Sequence, residues 1–168
     1  YTLFDGQFHQ KLKPLTFTKP VSSLRVGFYT IKEKWESFLN EEVGIRTKDY
    51  LGLKFNSITL ETPCGICAAL LPNEELVEAI LDLDDKTIMV HDDKVLAIKP
   101  LPDESNNLEK SLNDYNKVTY LGEYDILDRP MDIFSLNDKE INNDLKRLAN
   151  DDLKRTTFSL HNLSLIHI

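Results

Sequence analysis

The side chains best suited to bind phosphate are concentrated near the start of the chain. Lys11, Lys13, Lys19 and Arg25 fall in one segment, residues 11–25, that contains no acid. The chain as a whole is acidic, with 28 acidic against 20 basic residues and a formal charge of −8. A nucleic-acid-binding surface would need a net excess of Lys and Arg, so the composition argues against that class. The basic segment itself leaves two interpretations open, a solvated loop or a loop that faces an anionic small molecule.

The two cysteines, Cys64 and Cys67, form a single C-x-x-C. A redox pair of this type should open a helix, and a zinc site needs two further ligands at suitable spacing. Here an apolar run follows, and the next helix is predicted only after Pro72. The pattern therefore favours two buried, reduced cysteines, with a thiol redox role as the weaker alternative.

The basic segment directly follows a predicted strand. Thr2–Asp5 reads as a short strand that ends at Gly6, and about a dozen residues without helical or strand period come next. In open α/β sheets, ligands bind beyond the carboxyl ends of the strands. We therefore expect this loop to lie where a nucleotide would bind.

The next elements alternate between strands and helices. The apolar spacing from Phe28 to Leu39 predicts an amphipathic helix, and Asn73 is placed to cap a second helix. Strands are predicted at Val43–Thr47, Ser57–Leu60 and Ile66–Leu71, the last buried on both faces. The order predicts a mixed α/β fold with a Rossmann-like, doubly wound, mostly parallel sheet.

Two later features complete the predicted fold. Strands at Thr87–His91 and Lys94–Ile98, joined by Asp92-Asp93, form a predicted hairpin, which we expect to be an excursion from the main sheet. A last helix is expected to start at Asn137, followed three residues later by Glu140. Residues 100–107 have the composition of an exposed loop.

Three phrases of the sequence resemble a known family. Residues 3–6 read L-F-D-G and residues 12–20 read L-K-P-L-T-F-T-K-P, which resembles the opening signature of sugar-phosphate nucleotidyltransferases. Residues 24–35, L-R-V-G-F-Y-T-I-K-E-K-W, resemble the matching phrase of the GlmU-like sugar nucleotidyltransferases. The likeness continues through residues 71–76 and 129–137, so it covers roughly the first 150 residues. We assign residues 1–155 to one nucleotidyltransferase-like domain.

The resemblance implies a reaction and a set of site residues. It implies transfer of a nucleotidyl group from a nucleoside triphosphate to a sugar 1-phosphate, with release of pyrophosphate and with Mg²⁺ as cofactor. Mapped onto this sequence, the resemblance implies that Lys11 and Lys19 are catalytic. It implies that the nucleotide is bound by Phe4, Asp5, Gly6 and Arg25. It also implies that Asn137 is a metal ligand, with a helix cap as its alternative role.

The chain departs from the family pattern at two places. Residues 7–10 read Q-F-H-Q where active relatives have G-x-G-T, and bulky side chains hinder close approach of the backbone to a triphosphate. Gly65-Ile66 stands where they have Gly-Asp, and isoleucine cannot bind a hard cation. A catalytically degenerate domain that binds nucleotide sugars or serves as a scaffold is therefore a second hypothesis.

Further expectations concern the cell compartment, the assembly and the end of the chain. The sequence has no run of about 18 apolar residues, so we expect a cytoplasmic protein. Family members continue into a left-handed β-helix that is absent here and through which a homo-oligomer could form. Residues 156–168 match neither the family nor its continuation and resemble translated adaptor sequence; a short terminal strand is the alternative.

Overall fold

A computed structural model describes residues 1–55, 64–102 and 115–154 of the chain. Its centre is a six-stranded sheet with the order β4-β1-β5-β8-β7-β9. The six strands are β1 (Thr2–Phe4), β4 (Gly44–Arg46), β5 (Gly65–Cys67), β7 (Thr87–His91), β8 (Lys94–Lys99) and β9 (Asn116–Thr119).

Strand β1 lies between two parallel neighbours. Leu3 is level with Ile45 of β4 on one side and with Ile66 of β5 on the other. β8 is antiparallel to both β5 and β7, and β7 is parallel to β9. Five of the six strands thus share one direction, which confirms the predicted mixed α/β, mostly parallel sheet.

The predicted hairpin is present, but it is not an excursion. β7 and β8 pair through Asp92-Asp93 and occupy interior positions of the main sheet. Leu96, Ala97 and Ile98 are consecutive and all buried, so both faces of β8 are covered. Because a strand buried on both faces must lie inside a layered sheet, the hairpin belongs to the core.

The run predicted as one strand, Ile66–Leu71, is divided in two. β5 ends at Cys67, and after Ala68-Ala69 the chain enters β6 (Leu70–Leu71). β6 leaves the main sheet and pairs antiparallel with β10 (Asp125–Ile126). The Trp35 indole N–H donates to the Leu70 carbonyl over 2.8 Å and so fixes this departure.

The segment from β1 to the first long helix is folded into short elements. They are α1 (Phe8–Lys11), the 3-10 turns Leu15–Phe17 and Val21–Ser23, and a ribbon of β2 (Arg25–Val26) and β3 (Tyr29–Thr30). The helices that follow are α2 (Ile31–Leu39), α3 (Asp49–Gly52), α4 (Glu74–Leu81) and α5 (Asp132–Lys154). The predicted cap of α4 is confirmed, since the Asn73 side chain accepts from the Leu76 N–H.

The last helix begins five residues before the predicted start. Its first residue, Asp132, accepts hydrogen bonds from the N–H groups of Asp128 (2.9 Å) and Arg129 (2.7 Å), which fixes the chain before the helix. Asn137 therefore lies within α5, and its prediction as the helix start or cap is wrong.

Some predictions fall outside the described residues: the strand at Ser57–Leu60, residues 103–107 of the predicted loop, and residues 156–168. Among the helices that the structure describes, none has the length and apolar character needed to span a membrane.

Candidate functional site at the carboxyl edge of the sheet

The carboxylate of Asp5 follows β1 directly and is buried at the carboxyl edge of the sheet. It accepts hydrogen bonds from the Val21 N–H (3.1 Å) and the Thr47 hydroxyl (2.5 Å), and His9 Nδ1 lies 3.3 Å away. Burial raises the pKa of Asp5, while the hydrogen bonds and His9 act in the opposite direction. Asp5 thus anchors the segment after β1 rather than presenting a free carboxylate.

That segment is compact, and several of its backbone N–H groups are hydrogen-bonded within it. The N–H groups of Phe8, Gln10 and Lys11 donate to the carbonyls of Asp5 and Gln7. Phe8 and His9 are buried, and His9 Nε2 lies 3.0 Å from the Tyr50 hydroxyl. Three of the amides in the stretch that replaces a glycine-rich loop are therefore used internally.

Side chains, in contrast, form a charged group that solvent reaches. The Lys11 ammonium donates to Asp128 Oδ1 over 2.6 Å, and Lys94 Nζ lies 3.8 Å from Asp128 Oδ2. The exposed fractions of these side chains are 37%, 29% and 37% for Lys11, Lys94 and Asp128. We call these three residues the Asp128 cluster. The hydrogen bond from Lys11, supported by the charge of Lys94, holds the pKa of Asp128 below its usual value.

A pair of aromatic rings lies beside this cluster. The rings of His91 and Tyr124 meet edge to face, with centroids 4.7 Å apart. His91 Nδ1 donates to the Tyr120 carbonyl over 2.8 Å, which fixes the ring. Burial raises the pKa of Tyr124, and the negative charges of Asp92 and Asp128 raise it further. The charge of Asp128 thus acts on Tyr124, which belongs to this ring pair.

The predicted site residues are divided between two places. Phe4 and Asp5 are buried at the end of β1, Gly6 follows with φ of +48°, and Lys11 reaches the Asp128 cluster. Lys19 is half-buried between the two 3-10 turns. The roles predicted for these residues stay predictions.

Arg25 and Asn137 form the second group of predicted site residues, around the β2–β3 turn. The exposed Arg25 guanidinium donates to the Phe28 carbonyl, and the Asn137 side-chain oxygen accepts from the Gly27 N–H over 2.9 Å. Gly27 has φ of +75°, and a Cβ there would lie 2.5 Å from an Asp144 oxygen, so only glycine fits. The roles predicted for Arg25 and Asn137 also stay predictions.

A buried ion group holds α5 against this turn. Lys34 Nζ lies 2.8 Å from Glu140 Oε2 and also bonds Asp144, whose second oxygen accepts from the Phe28 N–H. All three side chains are nearly inaccessible. We call Lys34, Glu140 and Asp144 the Lys34 triad; its role is to attach the helix.

The described residues contain no ready-made cluster of metal-ligating side chains. Gly65 pairs with Thr2 at the start of β5, so its predicted equivalence to a metal-binding Gly-Asp at the carboxyl edge is wrong. Ala68 and Ala69 follow the carboxyl end of β5, and neither has a side-chain oxygen. Within residues 1–55, 64–102 and 115–154, no group of three His, Cys, Asp or Glu residues could hold a metal.

The cysteines are free and buried, as the sequence predicts. Burial raises the pKa of Cys64 to about 11 and that of Cys67 to about 12. Because the thiolate is the reactive form, both thiols are unreactive at neutral pH. This argues against the thiol redox hypothesis.

Sequence reasoning missed Lys94 and Asp128. Lys94 is the first residue of the predicted strand after the Asp92-Asp93 turn, and Asp128 lies two residues after β10. Applying the carboxyl-edge rule to β7, and not only to β1, would have marked Lys94, whereas Asp128 follows a strand outside the main sheet and has no such signal.

A mostly parallel α/β sheet with a lysine-bearing cluster at its carboxyl edge defines a Rossmann-like domain of the nucleotidyltransferase type. A family model described as sugar nucleotidyl transferase matches residues 1–152, and the chain belongs to this family. A search of curated proteins found no significant match.

Proposed function

We propose that this chain transfers a nucleotidyl group from a nucleoside triphosphate to a sugar 1-phosphate and releases pyrophosphate. The observation that carries the proposal is the position of Lys11. Its ammonium lies on the side of the sheet where the interior strand β1 ends, and it meets Lys94 across Asp128. Family membership over residues 1–152 supports it.

In this reaction an oxygen of the sugar phosphate attacks the α-phosphorus in line. The bond from the α-phosphorus to the bridging oxygen breaks, and pyrophosphate leaves with the bonding electrons. The protein contributes alignment of the reactants and positive charge for the phosphate oxygens. Lys11 supplies such a charge, and the buried Asp5 holds the segment that carries it.

A dependence on Mg²⁺ is expected from the resemblance and stays a prediction. The described residues contain no group of three metal-ligating side chains, and the Asn137 oxygen already accepts from Gly27. Pyrophosphate release measured over a Mg²⁺ titration, with a chelator blank, checks this expectation.

The activity test measures pyrophosphate release from each common nucleoside triphosphate with a panel of sugar 1-phosphates. Lys11→Met should lower kcat by about 100-fold or more, the typical effect of removing one group that stabilises transition-state charge. Lys13→Met is the matched control, because Lys13 Nζ lies over the Phe17 ring, 5.1 Å from its centroid, and not in the Asp128 cluster. Silence across the panel, or equal loss in both variants, would reject the proposal.

A second candidate is a domain that binds nucleotide sugars without turnover. It is favoured by the segment after β1, where the N–H groups of Phe8, Gln10 and Lys11 are bonded internally, and by the alanines after β5. Calorimetry with sugar nucleotides separates the two: binding without pyrophosphate release supports this candidate, and turnover excludes it.

A further inference from the structure

We propose that Lys94 is a second phosphate-binding residue and that the Asp128 carboxylate occupies the phosphate position in the free protein. This inference deepens the proposed function and rests on the same carboxyl-edge site. It adds two residues that the family signature does not mark.

The geometry of the Asp128 cluster motivates the proposal. One carboxylate oxygen accepts from Lys11 at 2.6 Å, and the other faces Lys94 at 3.8 Å. The two ammonium groups come from separate elements, α1 and the start of β8, and meet on one anion. A phosphoryl group offers the same arrangement of oxygens with more negative charge, so two lysines attract it more strongly than they attract a carboxylate.

The contacts of Asp128 also allow a phosphate to replace its carboxylate. The distance to Lys94 exceeds that of a hydrogen bond, and all three side chains remain about one third exposed. The backbone of Asp128 is held separately, since its N–H donates to Asp132. Its side chain can therefore turn away while the chain stays in place.

The position at the sheet favours phosphate over an arbitrary anion. Lys94 begins β8 directly after β7, whose carboxyl end lies at the same edge as that of β1. The His91–Tyr124 ring pair lies beside the cluster. A diphosphate or triphosphate bound here would thus contact Lys11 and Lys94 and lie near an aromatic surface.

The test is calorimetry of pyrophosphate binding at low salt, without any sugar phosphate. Lys94→Met should weaken binding by about fivefold or more, and Lys94→Arg should retain it, because the charge is what attracts the anion. Asp128→Asn should tighten binding by about fivefold, because it removes the competing anion.

Two matched controls separate this from a change in net charge. Lys117→Met removes an exposed lysine on β9, and Asp93→Asn removes an exposed carboxylate next to Lys94. Both should change binding by less than about twofold. Fluorescence of Trp35, the single tryptophan, verifies that each variant is folded.

The outcomes distinguish this inference from the proposed function. Pyrophosphate binding that follows the predicted order supports the inference even if no turnover is found. Turnover together with unchanged pyrophosphate affinity in Lys94→Met and Asp128→Asn overturns it. Equal effects in the variants and their controls also overturn it, because they would reflect net charge alone.

Discussion

Lys34 and Glu140 form an ion pair with an N–O distance of 2.8 Å, and both side chains are almost completely buried. Asp144 bonds the same ammonium from one turn further along α5. The helix is thus attached through one lysine and two carboxylates, beside the point where Asn137 accepts from Gly27. Buried charges depend on their partners far more than exposed ones do.

Lys34→Met should lower the free energy of unfolding by about 3–5 kcal/mol, because it leaves two buried carboxylates without a counter-charge. Lys32→Met, which breaks only the partly exposed pair with Glu36, should cost less than about 1 kcal/mol. Urea unfolding followed by Trp35 fluorescence checks both. Equal losses in the two variants would contradict a structural role for the Lys34 triad.

Thr30→Ala should destabilise the protein by about 1 kcal/mol through loss of the cap of α2. The Thr30 side chain accepts from the Glu33 N–H, and the Glu33 side chain accepts from the Thr30 N–H. Thr30→Ser keeps the accepting oxygen and should stay close to the wild type. Thermal unfolding of the three proteins measures the difference; no loss in the alanine variant would show that the capping box is unimportant.

Asp128→Asn should reduce stability at pH 7, and the reduction should be smaller near pH 3. The pKa of Asp128 in the folded protein is lowered from 3.8 by Lys11 and Lys94. Its contribution is therefore present above about pH 4 and is lost as pH falls through the lowered value. Because the pair is partly exposed, the effect at pH 7 should be under about 1 kcal/mol.

Urea unfolding of wild type and Asp128→Asn at the two pH values makes this comparison, with Asp93→Asn as the exposed control. A difference that persists unchanged at low pH would contradict the ion pairs as its cause.

Cys64 and Cys67 should react slowly with a thiol-specific disulfide reagent in the native protein at pH 8. A rise in the Cys64 pKa from 9.0 to about 11 lowers its thiolate fraction about 100-fold, and Cys67 is affected more. In denaturant both should react at the rate of an ordinary cysteine. Fast labelling of the native protein would show that burial does not protect them.

The sequence predicted the fold well where periodicity and caps coincide. α2, the Asn73 cap of α4 and the β7–β8 hairpin were predicted from such signals and are confirmed. The local sequence does not show which strands pair with each other. For this reason the position of the hairpin inside the sheet and the division of the strand after Cys67 were missed.

The site was predicted only in part. Lys11 was predicted because it follows the first strand and matches the basic residue of the family's opening signature, and its role stays a prediction. Its meeting with Asp128 depends on a contact between residues 117 positions apart, which no spacing rule reveals. Asn137 was misplaced because its helix begins at Asp132 and uses a carboxylate, not Asn137, to fix the preceding chain.

The attachment of α5 has a practical consequence for protein engineering. The helix supplies both counter-ions of a lysine that belongs to α2. A shortened version ending before Asp132 would remove both carboxylate partners of that ammonium, uncover Gly27 and expose the core surface against which Ile133 and Leu136 pack. Trimming to the sheet alone should therefore give an insoluble product, and the long terminal helix has to be retained in any minimal folding unit.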